Sequence, residues 1–262
     1  MADPAEPVVR LAVTDGVATI TLDRPHRGNA IDLPLARELM QALHACEADK
    51  GVRAIELRGA GRLFCAGGDL AAIQGQGDLA PAYVRSILGF LHEAISAIAR
   101  IPAPVVARVH GAAAGAGLAL ACCCDLVVAA GSSRFLMAYS KVGLTPDGSS
   151  TWILPRLIGL RRTLELALTN RELSAAEALD WGLINEVVAD VDLDARLSRL
   201  MADLAAGPTA AFGETKRLLR ASLSESLETQ MVHEMQAITA ALAGLEAREG
   251  LAAFLEKRAP KF

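Results

Sequence analysis

The sequence predicts an α/β fold, with a core of strand–strand–helix units over residues 1–191 and a helical section over 192–262. Three observations carry this expectation. Short β-rich runs alternate with stretches whose apolar residues recur at helical spacing. Two glycine-rich segments each follow a predicted strand and open into a predicted helix. From about Asp192 onward no β-rich run occurs.

Taken in order, Val8–Val13 and Val17–Leu22, split by Asp15-Gly16, read as a hairpin. Leu35, Leu39, Leu43 and Cys46 then recur at helical spacing behind Asp32, a candidate N-cap. Arg53–Arg58 reads as a strand and Gly59–Asp69 as a glycine-rich loop. A helix over about Tyr83–Arg100 leads to the strand Val105–Val109, a second Gly/Ala-rich turn and a buried helix. Asp125–Ala130 is strand-like again. The rhythm is too irregular for a sequence repeat, and no low-complexity linker divides the sections. Gly111–Ala130 is apolar except for Asp125, but its Gly, Ala and Cys content suits a buried helix and strand rather than a membrane span.

Composition bounds the function. A folded chain of 262 residues buries roughly 72% of its unfolded surface, enough for a core without metal or disulfide staples. With 52% hydrophobic and 21% charged residues the balance is globular, and only 4% is aromatic, so Ala, Leu, Val and Ile must fill the core. Thirty acidic against 26 basic side chains, with no basic block, count against a nucleic-acid surface but leave room for a local phosphate-binding patch. The opening MADPAEPVV lacks the basic and apolar regions of a secretory signal. The five cysteines (Cys46, Cys65 and Cys122–Cys124) have neither disulfide-frame nor zinc spacing and read as reduced core residues. A cytoplasmic location is expected, with no metal.

The two glycine-rich turns are Phe64-Cys65-Ala66-Gly67-Gly68-Asp69-Leu70 and His110-Gly111-Ala112-Ala113-Ala114-Gly115-Ala116-Gly117. A helix N-terminus offers unpaired N–H groups and a positive dipole end, and small residues let a ligand reach the backbone. Two converging turns would cradle a developing oxyanion; on spacing alone they read more readily as tight strand–helix connections. The second is not a dinucleotide fingerprint, because Leu120 stands where a glycine is needed.

These turns, with Cys124-Asp125 after the second, resemble the paired signatures of the enoyl-CoA hydratase/isomerase (crotonase) superfamily. Leu22–Ala30 resembles its R-P-x-x-x-N-A segment, Gly159–Val188 its A-x-x-W-G-L-[IV]-N-x-V-V stretch, and Gly250–Arg258 its G-x-x-A-F-x-E-K-R tail. The resemblance implies a spiral of ββα turns, a helical trimerisation region, a homotrimer or dimer of trimers, and acyl-CoA thioester substrates with no separate cofactor. It places the oxyanion hole at the N–H groups of Ala66 and Ala116. It puts Arg24, Arg27, Ala30, Gly68, Asp69, Leu70 and Gly115 along the CoA, with Phe254 and Lys257 reaching it from a neighbouring subunit. Arg24, Arg27 and Lys257 also read as ordinary surface charge.

The reaction depends on the acids and bases around such a hole. Hydratases of this superfamily use two glutamates, where this chain has Ala119 and Tyr139, so hydration by the usual pair is not expected. Asp147, in Gly143-Leu144-Thr145-Pro146-Asp147-Gly148, reads either as an acid in a tight turn or as a helix cap. Phe135–Asp147 resembles the branch that isomerises the ring epoxide of phenylacetyl-CoA, which implies Asp147 as the acid/base and Pro146 beside the substrate. The resemblance also allows a dehalogenase-like route with Asp147 as nucleophile and His92 activating water, with Tyr139 at the aromatic position of that enzyme. A non-catalytic, RNA-binding homologue is disfavoured by the acidic balance.

Overall fold

The structure, a computed structural model, describes residues 6–262. The opening MADPA of the segment read for a targeting signal lies outside the described residues. Strands β1 (Val9–Thr14) and β2 (Val17–Leu22) form an antiparallel hairpin. Its corner residues Asp15 and Gly16 both have positive φ, at 49° and 77°, the backbone that a tight hairpin turn requires. Helix α1 (Leu33–Ala48) is capped by the Asp32 carboxylate, which accepts the Leu35 N–H at 3.0 Å. It buries the predicted stripe of Leu35, Leu39, Leu43 and Cys46.

The chain continues through β3 (Ala54–Gly59), the short α2 (Leu70–Gln74) and the long α3 (Ala80–Arg100). Then follow β4 (Val105–Val109), β5 (Ala112–Ala114), α4 (Ala116–Cys123), β6 (Leu126–Ala130) and β7 (Arg134–Leu136). Next come α5 (Ser150–Thr169), β8 (Leu173–Ser174), α6 (Ala175–Asp180) and β9 (Glu186–Val188). The main sheet runs β1-β2-β3-β4-β6-β9, parallel from β2 onward; a smaller sheet runs β5-β7-β8. A parallel sheet needs cover on both faces. Ile55 and Leu57 of β3 turn into the main core with α1 and α3, while Ala54 turns to the opposite face. The Gly111–Ala130 stretch is a wholly buried α4 followed by β6. Among the described residues no helix is long and apolar enough to cross a membrane.

From Leu193 onward the chain is helical, as the sequence predicts from about Asp192. Helix α7 (Leu193–Ala205) still belongs to the core. Its Leu193, Leu197, Met201 and Ala205, one turn apart, pack on Ala54, Val106, Val128 and Ala130 of the sheet. The standing helices are α8 (Thr209–Ala221), α9 (Leu227–Leu242) and α10 (Leu245–Leu255).

The joint between α8 and the core is polar and buried. Lys216 Nζ pairs with Asp125 at 2.6 Å and donates to the carbonyls of Ile98, Ile101 and Ala103 at 3.3, 2.8 and 3.2 Å. Burial pushes the ammonium below its ordinary pKa, with Asp125 opposing. Asp125 also accepts the Val105 N–H at 2.8 Å, so one carboxylate fixes both the start of β4 and the foot of α8.

Candidate active site

The first glycine-rich turn is held by the segment that precedes α1. Buried Asn29 reaches the Ala60, Leu63 and Phe64 carbonyls through Nδ2, at 2.9, 2.8 and 3.2 Å, and accepts the Arg24 N–H at 2.9 Å. Arg24 donates to the Ala30 carbonyl at 2.6 Å and pairs with Asp32 at 3.0 Å and Asp69 at 3.1 Å. Its side chain is 12% exposed, so its guanidinium is already neutralised inside the protein. Burial works against charge on Asp69, but the Ala72 N–H and Arg24 outweigh it and hold the carboxyl below its usual range. Arg24, Ala30 and Asp69, expected along the CoA, therefore form a brace beneath the turn. Neither expectation for Arg24, CoA ligand or surface charge, describes this buried pairing.

The Ala66 half of the expected oxyanion pair is corrected. The Ala66 N–H donates to the Gly28 carbonyl at 2.9 Å and is committed to the brace. Among the described residues, the Gly68 N–H makes no such hydrogen bond, and neither does that of Ala116 at the first position of α4. The two turns meet closely. Gly67 has φ 99°, and a Cβ there would lie 2.9 Å from the Ala114 carbonyl oxygen. A Cβ on Gly117 would lie 2.5 Å from the Cys65 carbonyl oxygen, so only glycine permits this approach. Gly115 takes the strained backbone at φ 51°, which leaves Ala116 in ordinary helical geometry and makes its methyl tolerable. The N–H groups of Gly68 and Ala116, one from each turn, are left without a backbone acceptor where the turns meet.

Both line a cavity of about 280 Å³ together with Asp147 and Tyr139. Its remaining walls are mainly aliphatic, including Ile73, Val84, Leu88 and Met137. The Asp147 carboxylate does not cap α5, whose N-cap is Ser149 with no side-chain bond; it accepts the Tyr139 hydroxyl at 2.6 Å. Tyr139 is buried, and burial followed by the Asp147 charge pushes its phenol well above the ordinary range. It stays a donor. Ala119 lies on α4 beneath the same turn: a Cβ built on Gly148 would sit 3.2 Å from the Ala119 methyl. The turn that presents Asp147 thus lies over Ala119, close enough that residue 148 has little room for a side chain.

The other expected site residues fall in three places. Gly115 and Leu70 line the cavity. Arg27, Phe254 and Lys257 are exposed, Phe254 at 81%. Pro146 is half-buried and does not line the cavity, and exposed His92 lies outside it, although Leu88 and Leu91 of the same helix line it or its inner extension. The structure does not bring His92 to Asp147. The Tyr139–Asp147 contact and the Arg24 brace are invisible to motif reading, because each depends on pairing between turns. A larger cavity of about 880 Å³ among α8, α9 and α10 shares no lining residue with this one and is almost wholly apolar.

A central parallel sheet carrying two interlocked glycine-rich turns and a helical tail is the crotonase fold. The enoyl-CoA hydratase from Polaromonas sp. JS666 superposes with a TM-score of 0.92, at 35% identity, over 97% of this chain and 98% of that one. The chain belongs to the enoyl-CoA hydratase/isomerase family, whose profile matches residues 12–262, and is an acyl-CoA enzyme of that superfamily. Over 252 residues it is 40% identical to the 1,2-epoxyphenylacetyl-CoA isomerase of Escherichia coli strain K12, covering 95% of this chain and 96% of the relative. Over 245 residues it is 38% identical to 4-chlorobenzoyl coenzyme A dehalogenase-2 of an Arthrobacter species, covering 93% and 89%. Three similar proteins thus bear three reactions, and membership alone does not choose among them.

Proposed function

We propose that this chain isomerises an enoyl-CoA or a ring-epoxide acyl-CoA through a thioester enolate, with Asp147 as the acid/base. The observation that carries this reading is one carboxylate in an aliphatic cavity beside two free N–H groups, with Ala119 supplying no second carboxyl. The thioester oxygen accepts from Gly68 and Ala116, and each such donor is worth about 3 kcal/mol as charge develops. Asp147 removes a proton at C2, the pair moves into the enolate, and the carboxyl returns the proton at C4. Coenzyme A arrives as part of the substrate, and no other cofactor is needed. The placement of His92 outside the cavity argues against the nucleophilic route.

The active form in this reading is a homotrimer, singly or paired. The exposed apolar face of α9 and α10 supports it, as does the exposure of Phe254 and Lys257, which reach a neighbour's CoA. Five buried, unlinked cysteines suit the cytoplasm.

Asp147→Asn is expected to keep CoA affinity while turnover of a 3-enoyl-CoA falls by ~10²–10⁴. Robust hydration of a 2-enoyl-CoA by the wild type, or isomerisation that survives the substitution, would overturn the assignment. Rapid-quench labelling tests the nucleophilic route separately, because only that route leaves an ester on Asp147.

A further inference from the structure

We propose that Tyr139 is a positioning residue that ties down one oxygen of the Asp147 carboxylate, so that the other oxygen alone carries the proton in both directions. This rests on the acid/base reading of Asp147. Among the described residues Tyr139 alone donates to that carboxylate, through its hydroxyl to Oδ1 at 2.6 Å, a length typical of a hydrogen bond to a charged oxygen. The loop is built to make this contact. Ala138 at φ 60° and Gly143 at φ 72° bracket a single 3-10 turn over Tyr139–Val142. The Leu144 N–H returns to the Tyr139 carbonyl at 3.1 Å, which folds residue 147 back over residue 139.

The surroundings leave the pair isolated. Cavity walls from α2 and α3 include Leu70, Ile73, Val84 and Leu88, with Leu91 in the adjoining recess, and α4 contributes Ala116. The charged and titratable groups on the packed elements are otherwise engaged, protonated or turned outward. Cys123 meets Ser149 Oγ at 3.0 Å and is kept a thiol by burial. Asp69 is paired with Arg24, and Glu93 with Arg100 and His44. Tyr83 meets the Leu33 N–H. Arg85, His92, Lys141 and Arg156 are exposed. With Oδ1 held, Oδ2 takes the C2 proton while the C–H pair enters the enolate. The C3–C4 π pair then takes the same proton at C4 while the C1–C2 pair of the enolate moves to form the C2–C3 double bond and the thioester carbonyl re-forms, so no proton is gained or lost. A rotating carboxyl would exchange that proton with water before returning it.

The test compares wild type, Asp147→Asn and Tyr139→Phe on 3-hexenoyl-CoA deuterated at C2, reading kcat, KM, the pH profile and deuterium recovered at C4. Tyr139→Phe removes a contact made to the charged carboxylate, so the acidic limb should move up by about one pH unit. We expect kcat about ten-fold lower, KM within about two-fold and deuterium retention at least halved. A Tyr139→Phe enzyme with wild-type limb and retention, beside an inactive Asp147→Asn, overturns the role of Tyr139 and leaves that of Asp147 standing. Turnover surviving in Asp147→Asn, or a wild type that neither isomerises 3-hexenoyl-CoA nor exchanges its C2 hydrogen in D2O, overturns the acid/base reading itself and this inference with it. Should Tyr139→Phe fail to fold, 3-fluorotyrosine at 139 keeps the shape with a stronger donor. Its acidic limb must then move down, and an unmoved limb sinks the proposal.

Discussion

The sheet-centred core and the α8–α10 tail draw on the same aliphatic residues and treat them differently. In the core, Phe64, Phe135, Leu39 and Ile55 are sealed on every side, and α7 closes the outer face of the sheet. In the tail, Leu245, Phe254 and Leu255 stand about four-fifths exposed, at 81%, 81% and 78%. Isolated exposed leucines are ordinary, but a contiguous apolar face marks a surface that something covers. The core buries its large apolar side chains within the chain, whereas the tail leaves several of its own exposed. The candidate catalytic groups line a cavity of the first region, where a sealed interior can hold a preorganised site.

The most damaging test of this division is at the joint. Lys216→Met leaves Asp125 with the Val105 N–H and with Arg220 at 3.3 Å, and frees three carbonyls. The expected loss is about 3–5 kcal/mol in denaturant unfolding, the cost of breaking a buried pair from one side. A loss below ~1 kcal/mol would mean that the tail is not keyed to the core through this contact.

A smaller effect is expected at the tip of the tail. Phe254→Ala should raise the KM for acyl-CoA about five-fold, near 1 kcal/mol, with kcat within about two-fold. An unchanged KM would separate the exposed tail from the site.

Smallest is a flaw inside the core. Glu56 is 9% exposed, its Oε1 lacks a hydrogen-bond partner, and Arg58 and Arg108 stand no closer than 4.0 Å. Burial pushes its carboxyl above the ordinary range against the partial opposition of both arginines. The folded state therefore holds this proton more tightly than the unfolded chain. Its destabilising charge is absent below the unfolded pKa, grows as pH rises through the folded one, and is complete above both. Glu56→Gln should raise Tm by ~2 °C at pH 7.5, with the gain shrinking toward pH 4. A gain independent of pH would assign the effect to packing instead.

Local signals were legible in the sequence and pairings were not. The Asp15-Gly16 corner, the Asp32 cap and the strand Val105–Val109 are written in neighbouring residues, and the structure has all three. That the Ala66 N–H is taken up by the Gly28 carbonyl and the Gly68 N–H is left free depends on a contact across 38 residues, which no local motif displays. Arg24 looks like surface charge until Asp32 and Asp69 close on it. Helix α7 has the composition of its successors, and only the small Ala54 and Ala130 beneath it show that it docks on the sheet.

The fit of Gly148 against Ala119 restricts how this enzyme could acquire a different reaction. A Cβ on Gly148 would lie 3.2 Å from the Ala119 methyl, so a glutamate at 119 would extend toward the turn that carries Asp147. A lineage moving between the two chemistries would then have to refit the turn to the helix. Neighbouring reactions in such a family are then separated by coupled changes rather than by a single substitution.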